Sequence, residues 1–121
     1  MSIHSYQDLE VWQKAMDLAE EVYRATKSFP KHETYGLLGQ LQRAAVSIPA
    51  NIAEGRERAY KKEFLHHLSI ACGSLAELET HILIAGRLDY LDKEQVKILM
   101  DRTAEIGRML NGLRRSLKAK T

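Results

Sequence analysis

Carboxylates and histidines that share a helical spacing are the residues of this sequence whose types suit metal chemistry. Glu63 and His66 lie three residues apart, the Glu-x-x-His spacing that di-iron helical bundles use twice, together with a glutamate on each of two other helices. Glu77 and His81 lie four apart, and the adjacent His66 and His67 would point about 100 degrees apart on a helix. The set is incomplete, so the sequence predicts no metal site and no cofactor.

Nucleophilic chemistry has no candidate set either. Cys72 is the only cysteine and follows Ala71 on an apolar stripe, which favours a small buried thiol over a catalytic one. The sequence contains no Ser-His-Asp order, no phosphate-binding glycine loop and no metalloprotease histidine pair. We therefore predict that the chain is not an enzyme.

The same cysteine count bears on location. One cysteine excludes an internal disulfide and fits a reducing compartment. The first eight residues are polar, unlike a signal peptide, and no apolar run approaches the roughly 20 residues that span a bilayer. The sequence predicts a cytoplasmic protein with no membrane partner.

Basic side chains gather in two places and suit phosphate binding. The first group surrounds an aromatic residue and comprises Arg56, Arg58, Tyr60, Lys61 and Lys62. The second group closes the chain, beyond the last acidic residue, and comprises Arg114, Arg115, Lys118 and Lys120. Such clusters bind nucleic-acid backbones by counterion release, and the tyrosine within the first group can stack on an unpaired base.

A simpler interpretation of the same charges stays open. Cations at the end of a helix complement its dipole, and Glu54, Glu57 and Glu63 partly neutralise the first group. The whole chain carries a net charge of only +2. The clusters are therefore either a nucleic-acid site or a solvated surface.

Four amphipathic segments must position these side chains. With 121 residues, 45% of them apolar, and only nine glycines and prolines, the chain fits one domain over residues 1–121. Apolar residues spaced three and four apart predict helices at about residues 8–28, 33–55, 61–87 and 92–117. Asp92 and Gln95 predict a capping box on the fourth helix. Gly55 is predicted to end the second helix in the left-handed conformation.

Pro49 lies inside the second segment. Proline removes the hydrogen bond to the Ala45 carbonyl and clashes there, at a cost of about 3 kcal/mol in a helix interior. Two short helices are one solution, but the apolar spacing stays in phase across Pro49. The sequence therefore predicts one helix, kinked at Pro49.

The order of the segments determines the architecture. Short connections force neighbouring helices to run antiparallel, which predicts an all-α, up-down-up-down four-helix bundle. This topology brings the N-terminus, the connection between the second and third helices, and the C-terminus to one end. The two basic groups are therefore predicted to meet there.

Additional apolar residues on the first two helices bear on assembly. Val11, Leu37 and Ala44 fall outside the regular stripes. They indicate either a surface for self-association or the scattered surface hydrophobes of an ordinary monomer.

Several strings make the sequence recognisable as a family member. They are Tyr6-Gln-Asp-Leu-Glu-Val-Trp-Gln-Lys-Ala-Met16, Gln42-Arg-Ala-Ala-Val-Ser-Ile-Pro-Ala-Asn-Ile-Ala-Glu-Gly55, Lys62-Glu-Phe64 and Gly73-Ser-Leu-Ala-Glu-Leu-Glu-Thr80. Together they resemble the bacterial 23S rRNA-intervening-sequence protein family, also called the four-helix bundle protein family. The resemblance covers nearly the whole chain and supports the kinked second helix.

The resemblance implies a ring-shaped homopentamer, and a distant similarity to the retroelement accessory variability protein, which binds nucleic acid and a reverse transcriptase. Asn51, Glu54 and Glu77 match polar positions of the family, and we interpret them as structural: a buried amide, and carboxylates that satisfy the kink or the helix ends. Tyr60 stands where the resemblance implies a small hydroxyl residue, so the cap of the third helix should be weakened.

These observations lead to two functional hypotheses. The first is a non-enzymatic homo-oligomer that contacts RNA or DNA through its basic end without sequence specificity. The second is a scaffold that binds another protein and no nucleic acid.

Overall fold

Four α-helices make up the computed structural model, which describes residues 5–120 and has no strand in that range. They are α1 (Glu10–Ala25), α2 (Leu37–Glu57), α3 (Lys61–Arg87) and α4 (Lys93–Ala119). Short 3-10 turns cover Tyr6–Asp8, Thr26–Ser28 and Lys31–Glu33. The all-helical prediction is confirmed. Residues 1–4 and 121 of the predicted domain lie outside the described range.

Contacts between the helices show that chain neighbours run antiparallel. Between α2 and α3, the Ser47 and Ser74 hydroxyls lie 2.8 Å apart, and Asn51 Oδ1 lies 3.1 Å from His67 Nδ1. As the residue number rises along α2, the number of the contacting residue on α3 falls, so the two helices are antiparallel. The same holds for α3 and α4, where contacts join Thr103 to Glu79 and Arg114 to Cys72.

Helix α2 differs from its prediction at both ends. It begins four residues late, at Leu37, because Lys31–Glu33 form a separate 3-10 turn after Pro30. It also continues past Gly55 to Glu57, and no described glycine has a positive φ angle. The prediction that Gly55 ends the second helix in the left-handed conformation was therefore wrong. A Cβ atom at Gly55 would lie 2.6 Å from His67 Cβ, so this glycine permits close approach of α2 and α3.

Pro49 lies buried inside α2, which is one continuous helix from Leu37 to Glu57. Continuity excludes the alternative of two short helices. The kink itself stays a prediction.

Helix α3 has the predicted bounds but is more apolar than expected. An 18-residue window of it has a mean hydropathy of 1.3, which suffices for a bilayer span by length and composition, and 33% of that window is buried within the bundle. The expectation that no segment approaches this criterion was wrong, because the outward positions of α3 are largely small or uncharged. A helix in the core of a soluble protein meets the same criterion.

The core is formed by all four helices. Its largest fully buried apolar side chains are Leu18, Val22, Leu41, Ile48, Ile52, Leu68, Leu78, Ile82, Ile106 and Leu110. Val11 and Ala44 are also buried, at 5% and 2% exposure, and Leu37 is half-buried. The prediction of exposed apolar residues was therefore wrong for Val11 and Ala44, whereas Leu37 is partly buried against the core. The large apolar side chains that remain exposed lie elsewhere: Met16, Val46, Ile70, Leu83, Ile84, Leu88 and Ile98.

Residues 26–37 and 88–95 form one end of the bundle, which we call the capped pole. Asp92 accepts a hydrogen bond from the Gln95 amide, and the Gln95 side chain accepts one from the Asp92 amide, which confirms the predicted capping box. Glu33 accepts hydrogen bonds from the Leu37 amide (3.0 Å) and the Tyr90 hydroxyl (2.9 Å). These bonds lower the pKa of Glu33 below its ordinary value, the Leu37 amide contributing most.

Candidate nucleic-acid interface

The connection between α2 and α3 meets the end of α4 at the opposite end of the bundle. Only Arg58, Ala59 and Tyr60 separate the two helices. The Lys61 ammonium, in the first turn of α3, donates a hydrogen bond to the Lys120 carbonyl. This contact joins the two basic groups of the sequence. We call residues 54–63 and 111–120 the basic pole.

Formal charge is unevenly divided between this pole and the rest of the chain. The basic pole holds eight lysines and arginines and three glutamates, an excess of five positive charges. The whole chain carries +2, so the remaining residues have an excess of three negative charges. The small net charge of the protein therefore conceals a strong separation of charge.

Arg58 is less available than its position suggests. Its guanidinium lies 2.8 Å from the Glu54 carboxylate and 3.6 Å from that of Glu63. The hydrogen bond from Arg58 lowers the pKa of Glu54, and the His67 imidazole adds a smaller effect in the same direction. A phosphate that binds Arg58 must compete with both carboxylates.

Arg114 is turned toward the bundle. It is half-buried, and its Nη1 atom lies 3.7 Å from Cys72 Sγ and 3.3 Å from Asn111 Oδ1. Its Nε atom is buried and has no hydrogen-bond partner in the part of the chain that the structure describes. Contact with α3 therefore occupies part of this guanidinium.

The other cations of the pole divide into two kinds. Arg56 is half-buried and interacts with another residue. Four others are exposed: Lys62, Arg115, Lys118 and Lys120. Within residues 5–120, no carboxylate lies within ion-pair distance of these four, so they are the cations most accessible to a phosphate.

Tyr60 occupies the N-cap position of α3. Its backbone is extended (φ −121°, ψ 141°), and its side chain makes no capping hydrogen bond, as its departure from a hydroxyl residue predicts. The side chain is 69% exposed, between Arg58 and the lysines of the first turn. A large aromatic surface therefore faces solvent within the basic pole.

A polar seam runs between α2 and α3 beside this pole. Asn51 Nδ2 donates to the Ser47 carbonyl (2.9 Å) and hydroxyl (3.0 Å), and the Ser47 hydroxyl bonds to that of Ser74. His67 Nδ1 lies 3.1 Å from Asn51 Oδ1. Asn51 is half-buried, so these bonds satisfy its amide inside the bundle.

Sequence reasoning identified Asn51 but missed its partners. The spacing of Ser47 and Asn51, four residues apart on one helix, could have indicated their contact. Ser74 and His67 depend on the register of α2 against α3, which no local pattern contains. Of the other two polar positions, Glu54 bonds to Arg58 at the end of α2, whereas Glu77 is exposed on α3.

The residues weighed for metal chemistry are dispersed. Over residues 5–120, no three or more His, Cys, Asp or Glu side chains are arranged to hold a metal ion. Glu63 instead contacts Arg58, and His67 contacts Asn51.

Comparison with known proteins gives consistent results. A family model described as 23S rRNA-intervening sequence protein matches residues 7–112. A solved structure from Bacteroides thetaiotaomicron, described as a protein of unknown function from the S23 ribosomal protein family, superposes with a TM-score of 0.80 and 24% identity. The match covers 86% of this chain and 97% of that one, and at this identity it supports the fold alone. The comparison with curated proteins gives no match.

Proposed function

The chain belongs to the 23S rRNA-intervening sequence protein family, and we propose that it is a non-enzymatic, cytoplasmic homo-oligomer that binds RNA or DNA through the basic pole. Binding depends on phosphate charge and is independent of base sequence. The observation that carries this proposal is the charge separation: five excess positive charges at one end of a chain whose other residues are net negative.

The accessible cations determine how strong this binding can be. Each phosphate neutralised on a single strand contributes about −0.7 to the slope of log affinity against log salt, and each on a duplex about −0.9. Lys62, Arg115, Lys118 and Lys120 would together give a slope of about −3 per protomer. One protomer therefore binds weakly, and an oligomer that presents several basic poles binds more tightly through multivalency.

Fluorescence anisotropy with labelled RNA and DNA oligonucleotides tests the proposal, in salt from about 50 to about 200 mM. The test variant is Lys62→Glu/Arg115→Glu/Lys118→Glu. The matched control is Lys27→Glu/Arg87→Glu/Lys93→Glu, which replaces two lysines and one arginine that are exposed near or at the capped pole. Both variants change the net charge from +2 to −4.

The proposal predicts that the test variant loses binding and that the control retains most of it. Equal losses in both would mean that net charge, and no particular surface, attracts the oligonucleotide. Absence of binding by the natural protein at low salt would refute the proposal.

For the oligomer, we propose a pentameric ring. Exposed apolar side chains support self-association: Met16 on α1, Val46 on α2, and Ile70, Leu83 and Ile84 on α3 are each at least 38% exposed. Light scattering on a size-exclusion column should give about 69 kDa, five times the 13.8 kDa of one chain. A mass of 13.8 kDa at micromolar concentration would contradict it.

A protein-interaction scaffold is the second candidate. The exposed apolar side chains of α3 favour it, because a partner could cover Leu83 and Ile84 without any contact to the basic pole. This alternative would be supported if the natural protein forms a stable complex with another protein and has no affinity for RNA or DNA at low salt.

A further inference from the structure

The Tyr60 side chain bears on whether the basic pole binds single-stranded or double-stranded nucleic acid. We infer that its ring is a stacking platform for an unpaired base, so that the ligand is single-stranded RNA or DNA. This inference rests on the proposed function and specifies its substrate class.

The surroundings of the ring distinguish Tyr60 from the tyrosines that pack within the chain. Tyr6 contacts Trp12 with ring centroids 5.3 Å apart, and Tyr90 contacts Phe29 at 5.2 Å and bonds to Glu33. Tyr60 is 69% exposed and has no ring contact or side-chain hydrogen bond within the described chain. Its apolar surface contributes nothing to the core.

Stability does not account for tyrosine at this position. The N-cap of a helix favours serine, threonine, aspartate or asparagine, which bond to the first-turn amides. Tyr60 makes no such bond, and it exposes a large apolar ring beside Arg58 and Lys62. An unpaired nucleotide combines a base with two apolar faces and a charged phosphate, so it matches both properties of this surface.

The number of accessible cations also favours an unpaired strand. The four exposed lysines and arginines whose side chains have no partner within the described chain give a modest electrostatic affinity. Stacking of one base on an aromatic side chain strengthens binding about 5- to 150-fold, the equivalent of about 1–3 kcal/mol. In a duplex both faces of each internal base are covered by its neighbours, so Tyr60 can add nothing there.

Anisotropy titrations of one oligonucleotide, as a labelled single strand and as a duplex, test this inference. The variants are Tyr60→Leu, which removes the ring, and Tyr60→Phe, which keeps it. Tyr35→Leu is the matched control, since Tyr35 is 93% exposed and lies at the capped pole, at the opposite end of the bundle from the basic pole. Thermal unfolding of each variant verifies that the fold is retained.

We expect Tyr60→Leu to lose 5- to 150-fold in affinity for the single strand and to bind the duplex like the natural protein. Tyr60→Phe and Tyr35→Leu should bind the single strand normally. The stacking inference is wrong if Tyr60→Leu binds the single strand as tightly as the natural protein does. It is also wrong if this variant loses affinity equally for the single strand and the duplex. If the natural protein binds neither ligand, the proposed function itself fails.

Discussion

At the capped pole, Glu33 accepts hydrogen bonds from an amide and a phenol, and Asp92 and Gln95 cap α4. At the basic pole, the N-cap residue of α3, Tyr60, makes no capping hydrogen bond, and the Lys62 side chain is exposed to solvent. The two ends have the same helical scaffold but use their polar groups differently. Polar groups that are bonded internally stabilise the fold, whereas those left exposed remain available to a ligand. The comparison therefore predicts that substitutions of the internally bonded or buried residues affect stability, whereas substitutions of the exposed residues of the basic pole affect binding.

An aromatic residue at each pole gives the largest expected contrast. Phe29 is 6% exposed and packs against Tyr90, so Phe29→Ala should lower the free energy of unfolding by about 3 kcal/mol or more. Tyr60→Ala should change it by less than about 0.5 kcal/mol, because the ring is exposed. Urea unfolding followed by circular dichroism measures both. Similar losses would mean that the basic pole is packed as firmly as the capped pole.

Two glycines test whether the end of α2 near the basic pole depends on close backbone packing. Gly55→Ala should destabilise the protein by about 1–3 kcal/mol, because the new Cβ would meet His67 Cβ at 2.6 Å. Gly73→Ala is the matched control on an open helix face, with no atom within 4 Å of the new Cβ, and should stabilise by about 0.5–1 kcal/mol. Thermal unfolding compares them. A neutral Gly55→Ala would show that α2 and α3 can separate there without cost.

Substitutions at the N-cap positions of α4 and α3 test the contrast between the two poles directly. Asp92→Ala should cost about 1 kcal/mol, since it removes the capping box of α4. Tyr60→Ser should gain up to about 1 kcal/mol by supplying the cap that α3 lacks, while weakening single-strand binding. Chemical denaturation and anisotropy together separate the two effects. A loss of stability in Tyr60→Ser would mean that the tyrosine has a structural role.

The smallest expected effect is a dependence of stability on pH in the acid range. Because the pKa of Glu33 is lowered in the folded state, its contribution is fully present above the ordinary carboxyl pKa of about 4.3 and is lost as the pH falls through the lower folded value. The stability difference between the natural protein and Glu33→Gln should therefore shrink below about pH 4.3. At the basic pole, Glu54→Gln should behave similarly, but salt should diminish its effect because Glu54 is 53% exposed and Glu33 only 18%. A pH-independent difference for Glu33→Gln would contradict the assigned bonds.

Features with local causes could be predicted from the sequence. The bounds of α3 and the capping box of α4 follow from apolar spacing and from Asp92 and Gln95, which are close in the chain. The meeting of the two basic groups follows from four helices joined by short connections. Gly55 was misinterpreted because its cause is the approach of His67 from another helix, and local sequence does not contain that distance.

The state of individual site residues was harder to predict. The pairing of Arg58 with Glu54 follows an i, i+4 spacing and was accessible in principle. The inward position of Arg114 depends on the register that places it opposite Cys72, forty-two residues earlier. The apolar surplus was assigned to the wrong residues because helical spacing does not tell which part of a broad apolar arc faces the core.

The contact between Arg114 and Cys72 also provides a reporter of motion. Cys72 is the only thiol in the chain and is half-buried, with its sulfur 3.7 Å from the Arg114 guanidinium. Because Arg114 lies against the sulfur, the rate of Cys72 alkylation should rise when the last turns of α4 separate from α3. An oligonucleotide held between Lys62 and Lys118 would restrain that separation and slow the alkylation, which makes ligand binding observable without any introduced label.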